Sequence, residues 1–171
     1  MDRALTQKLK KIKFVAMDFD GVMTDGFVYV DERGREMVRA SRKDGLGINL
    51  LQGHGIAVGV ISKETNPVVR ARCRKLKIPC WQGIRDGEGK RAILQRILRV
   101  RKLSRTEVCY IGDDVNDLEA LRAAGVGITV ADGHPLLKQV ADYVTKAMGG
   151  AHAVREVAEL ILRAHGIPIR F

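Results

Sequence analysis

Apolar residues in this chain gather into short, nearly continuous runs, separated by longer stretches in which they recur every three or four positions. The runs at 12–17, 56–61, 108–111 and 127–130 predict strands buried on both faces of a parallel sheet. Shorter runs at 80–81 and 143–145 add two more strands. Between them the three-to-four spacing predicts helices at 44–52, 67–76, 89–101 and 115–124, with a short helix after Pro135. Asp44 is expected to cap the first of these, and Gly53 and Gly55 to end it. A closing helix is expected from Gly150, where Val154, Val157, Ala158, Ile161 and Leu162 share one face. Residues 27–30 and 36–40 flank Asp31-Glu32-Arg33-Gly34 and predict a β-hairpin, while the residues before 12 read as a polar, basic lead-in. Strands alternating with helices define an α/β fold, a Rossmann-like three-layer sandwich around a mainly parallel sheet. It forms one domain over 1–171, with the hairpin protruding at about 26–41.

The composition, 46% apolar and 29% charged, suits an ordinary globular domain. No apolar run is long enough to span a membrane, and the lead-in carries lysines where an export signal has an apolar core. Three cysteines without a Cys-x-x-Cys pair fit a reducing compartment, so a cytoplasmic location is expected. The net charge of +10 favours anionic ligands. Much of it lies in two helical stretches, around Arg70–Lys77 and Lys90–Arg105, which read as solvated faces. With few aromatic residues interleaved, neither suggests a nucleic-acid partner.

In a parallel α/β sheet, ligands bind beyond the carboxyl ends of the strands. Four strand ends here carry chemistry: Asp18 and Asp20 after the first, Ser62 and Lys63 after the second, Lys90 after the third, and Asp113, Asp114 and Asp117 after the fourth. Carboxylates crowded at one sheet edge repel one another and call for a cation, and an all-oxygen set suits Mg²⁺ better than zinc. The loop Gly83–Lys90 imitates a phosphate-binding P-loop, but Ile84 and Arg91 stand where that motif needs glycine and a hydroxyl residue.

Asp18-Phe19-Asp20-Gly21-Val22-Met23-Thr24, then Ser62, Lys90 and Gly112-Asp113-Asp114-x-x-Asp117, resemble the four motifs of the haloacid-dehalogenase-like phosphatases. The resemblance implies that Asp18 attacks phosphorus to give an aspartyl-phosphate, while Asp20 protonates the leaving alcohol and then activates water. It also implies that Asp18, Asp113 and the Asp20 backbone carbonyl hold Mg²⁺, that Asp114 and Asp117 orient the site, and that Ser62 and Lys90 steady the phosphoryl oxygens. Each role is chemically sound, since a carboxylate attacks well once a metal and donors neutralise the phosphoryl charge and hold it in line. A phospho-accepting signalling domain and a catalytically idle binding module are the rival classes.

The gaps between these motifs are too short for a cap domain. Capless organisation, with Lys43-Asp44-Gly45-x-Gly47-Ile48, Ala131-Asp132-x-His134-Pro135 and Gly149-Gly150, resembles the branch acting on 3-deoxy-2-keto sugar acid phosphates, namely 3-deoxy-D-manno-octulosonate 8-phosphate and nonulosonate 9-phosphates. That branch implies a homotetramer in which the hairpin of one subunit covers its neighbour's site. Lys43, Lys63, Glu64, Gly149, Gly150, His152 and Arg155 are then the candidate substrate-binding residues, and His134 is structural. Ala151-His152 stands where octulosonate enzymes carry arginine, and Lys63-Glu64 is more similar to enzymes acting on nonulosonate 9-phosphates.

Overall fold

The computed structural model describes residues 2–169. Its elements, in chain order, are α1 (Arg3–Leu9), β1 (Phe14–Met17), β2 (Tyr29–Val30), β3 (Glu36–Met37), α2 (Arg42–Gly53), β4 (Ala57–Ile61), α3 (Pro67–Leu76), β5 (Cys80–Trp81), α4 (Gly87–Arg101), β6 (Val108–Gly112), α5 (Leu118–Ala123), β7 (Val126–Thr129), α6 (Pro135–Val140), β8 (Tyr143–Val144) and α7 (Ala153–Ala164). Six strands form one parallel sheet in the order β5-β4-β1-β6-β7-β8. Because the pleat alternates, Val15 and Met17 of β1 face one hydrophobic cluster with α1, α2, α3 and α7, while Phe14 and Ala16 face another with α4, α5 and α6. Both faces of β1 and β6 are therefore dry, as the apolar runs require.

The chain leaves β1 towards β4 and β5, then returns to the other side of β1 for β6, β7 and β8. The switch of direction falls between β1 and β6, where the loops leaving two adjacent strands diverge and open a crevice.

Four boundaries differ from the pattern reading. The lead-in is a helix, α1, because Leu5 and Leu9 lie four apart and both reach the core. Ser41, not Asp44, caps α2: its hydroxyl accepts the Lys43 and Asp44 N–H groups, and Asp44 sits buried in the first turn. The hairpin pairs only two residues per strand, extended by a single bridge between Thr24 and Ala40. The closing helix starts at Ala153 because Gly150 (φ +65°) and His152 (φ +85°) hold left-handed conformations that no helix accommodates.

Helices α3 and α4 each end in a left-handed lysine, Lys77 (φ 56°) and Lys102 (φ 53°). The next N–H in each case closes the helix end, Ile78 to the Cys73 carbonyl at 3.1 Å and Leu103 to the Leu98 carbonyl at 2.9 Å. Glycine tolerates that backbone without a Cβ clash, at the cost of a more flexible unfolded chain. Lys77→Gly and Lys102→Gly are each expected to stabilise the fold by about 0.5–1 kcal/mol in urea unfolding; a destabilised variant would show that the lysine stem contributes more than its strain costs.

Candidate active site

β1 and β6 end side by side, with Met17 paired to Ile111, so Asp18 and Asp113 emerge from neighbouring strands. Asp18 is buried; its Oδ1 accepts the Phe19 N–H at 2.7 Å and its Oδ2 accepts from Lys90 Nζ. Lys90 rises from the first turn of α4, with its side chain wholly buried, and donates also to Asp117 Oδ1 at 2.7 Å. Tyr110 Oη donates to the same Asp117 oxygen at 2.6 Å, and Asp117 Oδ2 receives the Asp113 N–H at 3.1 Å. A buried ammonium near a helix N-terminus is disfavoured by desolvation and by the helix dipole, and the two carboxylates offset both.

Carboxylate oxygens of Asp18, Asp113 and Asp117 lie within 4.8 Å of one another. The close-set trio contains Asp117 where the sequence pattern pointed to Asp20, whose expected contribution was a backbone carbonyl. Both Asp117 oxygens are already taken by hydrogen-bond donors, which leaves Asp18 and Asp113 as the better-placed ligands for an ion. Lys90 supplies one positive charge among three carboxylates, so the centre keeps an excess of negative charge that fits a hard divalent cation.

The electrostatics point the same way. Burial, then the neighbouring Asp117, raises the Asp18 carboxyl well above its usual range, against the pull of Lys90. Burial and Asp117 likewise push Asp113 up to about 7. Asp20 is raised by burial and then by Glu64 across the crevice, which favours the protonated form that an acid catalyst needs. Lys90 is raised by Asp18 and Asp117, which outweigh the opposing effect of burial, and it stays charged.

Asp18, Asp20, Ser62, Lys63, Glu64, Asp113 and Asp114 all line one open cavity of about 240 Å³, with Lys90 and Asp117 beneath its floor. Gly21 makes the tight turn possible: its φ is +72°, and a Cβ there would fall 2.0 Å from Asp113 Oδ2. The Ser62 hydroxyl accepts the Glu64 N–H at 3.1 Å, which fixes the loop after β4. Lys43, Gly149, Gly150, His152 and Arg155 are not among the residues lining this cavity. Lys43 is exposed at the start of α2, and the buried Arg155 donates through Nε to Glu159 on its own helix. Gly149 and Gly150 lie behind the 21–25 loop, and His152 Nδ1 faces the Ser41 hydroxyl at 3.0 Å. His134 is structural as expected: its ring Nδ1 accepts the Leu136 N–H to cap α6, and its backbone N–H donates to the Asp113 carbonyl at 2.6 Å.

Two residues escaped the sequence pattern. Asn116 lines the cavity from one of the open positions of Gly112-Asp113-Asp114-x-x-Asp117, a placement legible only in that it follows the strand end. Tyr110 lies inside an apolar strand and gave no signal before its hydroxyl was seen to reach Asp117.

An aspartate pair after the first strand, a buried lysine and a second acid cluster at the switch point define a haloacid dehalogenase-like hydrolase, and the chain belongs to that family. Residues 62–156 match its sequence model. Over 160 residues the chain is 36% identical to the 3-deoxy-D-manno-octulosonate 8-phosphate phosphatase of Escherichia coli K12, covering 93% of this chain and 84% of that one. The crystal structure of the Moraxella catarrhalis 3-deoxy-D-manno-octulosonate 8-phosphate phosphatase, in complex with magnesium, phosphate and a KDO molecule, superimposes with a TM-score of 0.92 at 37% identity, over 97% and 94% of the two chains. The cobalt-bound Haemophilus influenzae phosphatase superimposes with a TM-score of 0.88 at 37% identity, over 94% and 92%.

Without metal, the raised acids make stability depend on pH. Folded Asp113 binds its proton more tightly than an unfolded carboxyl, so its contribution is complete below about 3.8 and is lost as the pH rises through about 7. Metal-free protein is expected to show a urea midpoint that falls across that window, and Asp113→Asn should flatten the fall; a midpoint that rises with pH there would contradict this charge balance.

Proposed function

We propose that the chain is a Mg²⁺-dependent phosphomonoesterase that hydrolyses a 3-deoxy-2-keto sugar acid phosphate, with 3-deoxy-D-manno-octulosonate 8-phosphate as the leading candidate. The observation that carries this is the convergence of Asp18, Asp113 and Lys90 at one crevice, in a chain similar along nearly its whole length to phosphatases of that ester. Asp18 and Asp113 would hold Mg²⁺, together with the Asp20 carbonyl. When bound, the ion neutralises phosphoryl oxygens and orients them for in-line attack.

Asp18 is the nucleophile: its carboxylate attacks phosphorus, and the P–O bond to the sugar breaks as an aspartyl-phosphate forms. Asp20 gives its proton to the departing alkoxide and, now ionised, takes one from the water that cleaves the acyl phosphate. Ser62 and Lys90 stabilise the transferring group, while Asp114 and Asp117 hold the second acid loop in place. Lys63 and Glu64 line the same cavity and would meet the sugar acid. Glu64 also favours a second candidate of the same class, a nonulosonate 9-phosphate, and side-by-side turnover of the two esters ranks them. A signalling domain or an idle module is not favoured, since every group the hydrolytic scheme needs is present and its curated relatives are phosphatases.

The hairpin bears on assembly. Phe27, Tyr29, Val30 and Met37 are more than half exposed, and a two-stranded ribbon with apolar side chains needs a surface to lie on. A homotetramer in which the hairpin covers a neighbour's cavity supplies that surface and accounts for a site with no cap of its own. Among the described residues no helix is long and apolar enough to cross a membrane. The three cysteines are free, which supports the expected cytoplasmic location.

Asp18→Asn is expected to reduce phosphate release to background with the fold intact by circular dichroism, and EDTA should stop the wild-type enzyme until Mg²⁺ is restored; residual turnover in either case excludes the scheme. Replacing residues 27–38 with a short Gly/Ser turn should lower both the sedimentation mass and the turnover of the sugar acid phosphate. A tetramer that survives the replacement would remove the hairpin from the interface.

A further inference from the structure

Asp44 lies outside the cavity, buried between α2 and α7, and the hydrolytic scheme leaves it unused. Its Oδ1 accepts the backbone N–H of Arg155, in the first turn of α7, at 2.8 Å. Its Oδ2 is buried with no hydrogen-bond partner among the described residues. Burial raises its carboxyl above the usual range, opposed by the Arg155 N–H, by the ring and backbone N–H of His152, and by Arg72. A half-satisfied buried carboxylate is a costly way to join two helices that apolar side chains would join as well. What it secures is the position of the start of α7.

The surroundings show what depends on that position. α2 and α7 approach so closely that a Cβ on Gly47 would lie 2.9 Å from Arg155 Cα. Immediately before α7, Gly149 packs against the Gly21 carbonyl, where a Cβ would come within 1.8 Å of the oxygen, and the Gly150 N–H donates to the Val22 carbonyl at 3.0 Å. Residues 21–22 belong to the loop that carries Asp20. The same loop is gripped from its other end: Thr24 bridges to Ala40, next to the α2 cap Ser41, whose carbonyl accepts from Arg72 Nη2 at 2.8 Å. Inside the loop the Thr24 hydroxyl donates to Asp20 Oδ1 at 3.4 Å and accepts the Gly21 and Gly26 N–H groups.

We infer that Asp44 is a positioning residue for Asp20: by fixing the start of α7 against α2, it presses Gly149-Gly150 onto the 20–26 loop and holds the acid–base carboxyl at its working distance from the leaving oxygen. This inference rests on the hydrolytic role proposed for Asp20. Few-tenths-of-an-ångström errors in such a carboxyl act on the step that needs its proton, and not on substrate capture.

Leaving-group chemistry tests it. An alkyl phosphate needs protonation to depart, whereas p-nitrophenolate leaves without help. Because Asp20 also serves as base in the later hydrolysis of the aspartyl-phosphate, which both esters share, the test reads the first step alone, as single-turnover release of the sugar acid or of p-nitrophenol with enzyme in excess. Asp44→Ala is expected to lower that rate with 3-deoxy-D-manno-octulosonate 8-phosphate by about tenfold or more at nearly constant half-saturation, and with p-nitrophenyl phosphate by less than about threefold. Asp44→Asn keeps an oxygen for the Arg155 N–H and should recover most of the lost rate. Gly47→Ala, which displaces α7 with Asp44 intact, should reproduce the asymmetry and stands in if Asp44→Ala fails to fold. Equal losses of single-turnover release on both esters, or a change confined to half-saturation, would overturn the inference. Asp20→Asn in the same assay separates the two levels: if it shows the asymmetry and the Asp44 and Gly47 variants do not, the positioning role is wrong. If Asp20→Asn lacks the asymmetry, the acid–base role falls and takes the positioning role with it.

Discussion

The Lys90 ammonium sits at the carboxyl edge of the sheet with no exposure to solvent, held between Asp18 and Asp117. Taking a charge of that kind out of water costs several kcal/mol unless partners surround it. Here the partners are the proposed nucleophile and the residue that orders the loop after β6, so a single cation fixes the distance between the two acid loops. The geometry follows from this. α4 must begin close to the ends of β1 and β6, and Asp117 must turn back under its own strand, where Tyr110 and the Asp113 N–H complete its bonds. With Asp117 satisfied, Asp18 and Asp113 are left facing the crevice with uncompensated negative charge. A divalent ion held by Asp18 and Asp113 would neutralise that charge and so admit an anionic phosphoryl group beside the buried lysine.

The scaffold behind the site is conventional, with two apolar layers against a parallel sheet, but its two faces do different jobs. The α4, α5 and α6 face delivers Lys90 and seals the floor. The α2 and α7 face has glycines where a dry helix pair would have larger side chains, and it carries a buried carboxylate and a strained histidine beside the loop holding Asp20. In the proposed scheme, the precision with which Asp20 is held thus depends on contacts from outside the crevice. In the proposed assembly, the exposed apolar hairpin would supply the remaining part, exclusion of solvent from an open cavity.

The sheet, its helices and the four chemical strand ends were legible in the sequence because each depends on local pattern: apolar runs of strand length, and acids directly after them. α1 was not, since two leucines among basic residues carry too little periodicity until the core they reach is known. Asp44 reads as a helix cap from its residue type, yet Ser41 takes that place because its hydroxyl reaches two N–H groups while Asp44 is drawn inward to α7. Tyr110 was invisible because a strand position reads as core whether or not its hydroxyl finds a partner. Lys43, His152 and Arg155 were singled out by resemblance alone, and none of them lines the crevice of the single chain. Nothing local in a sequence states which side of a loop faces the ligand.

The central claim is that Asp18 takes up the phosphoryl group covalently. Acid-quenched enzyme in steady-state turnover of 3-deoxy-D-manno-octulosonate 8-phosphate, reduced with borohydride and mapped by peptide mass spectrometry, reads that residue directly, because an acyl phosphate is reduced to the alcohol and a free carboxylate is not. Conversion of Asp18 to homoserine, dependent on Mg²⁺ and substrate, is the predicted result. Reduction at any other acid, or an unmodified Asp18 in an enzyme that is turning over, would contradict it.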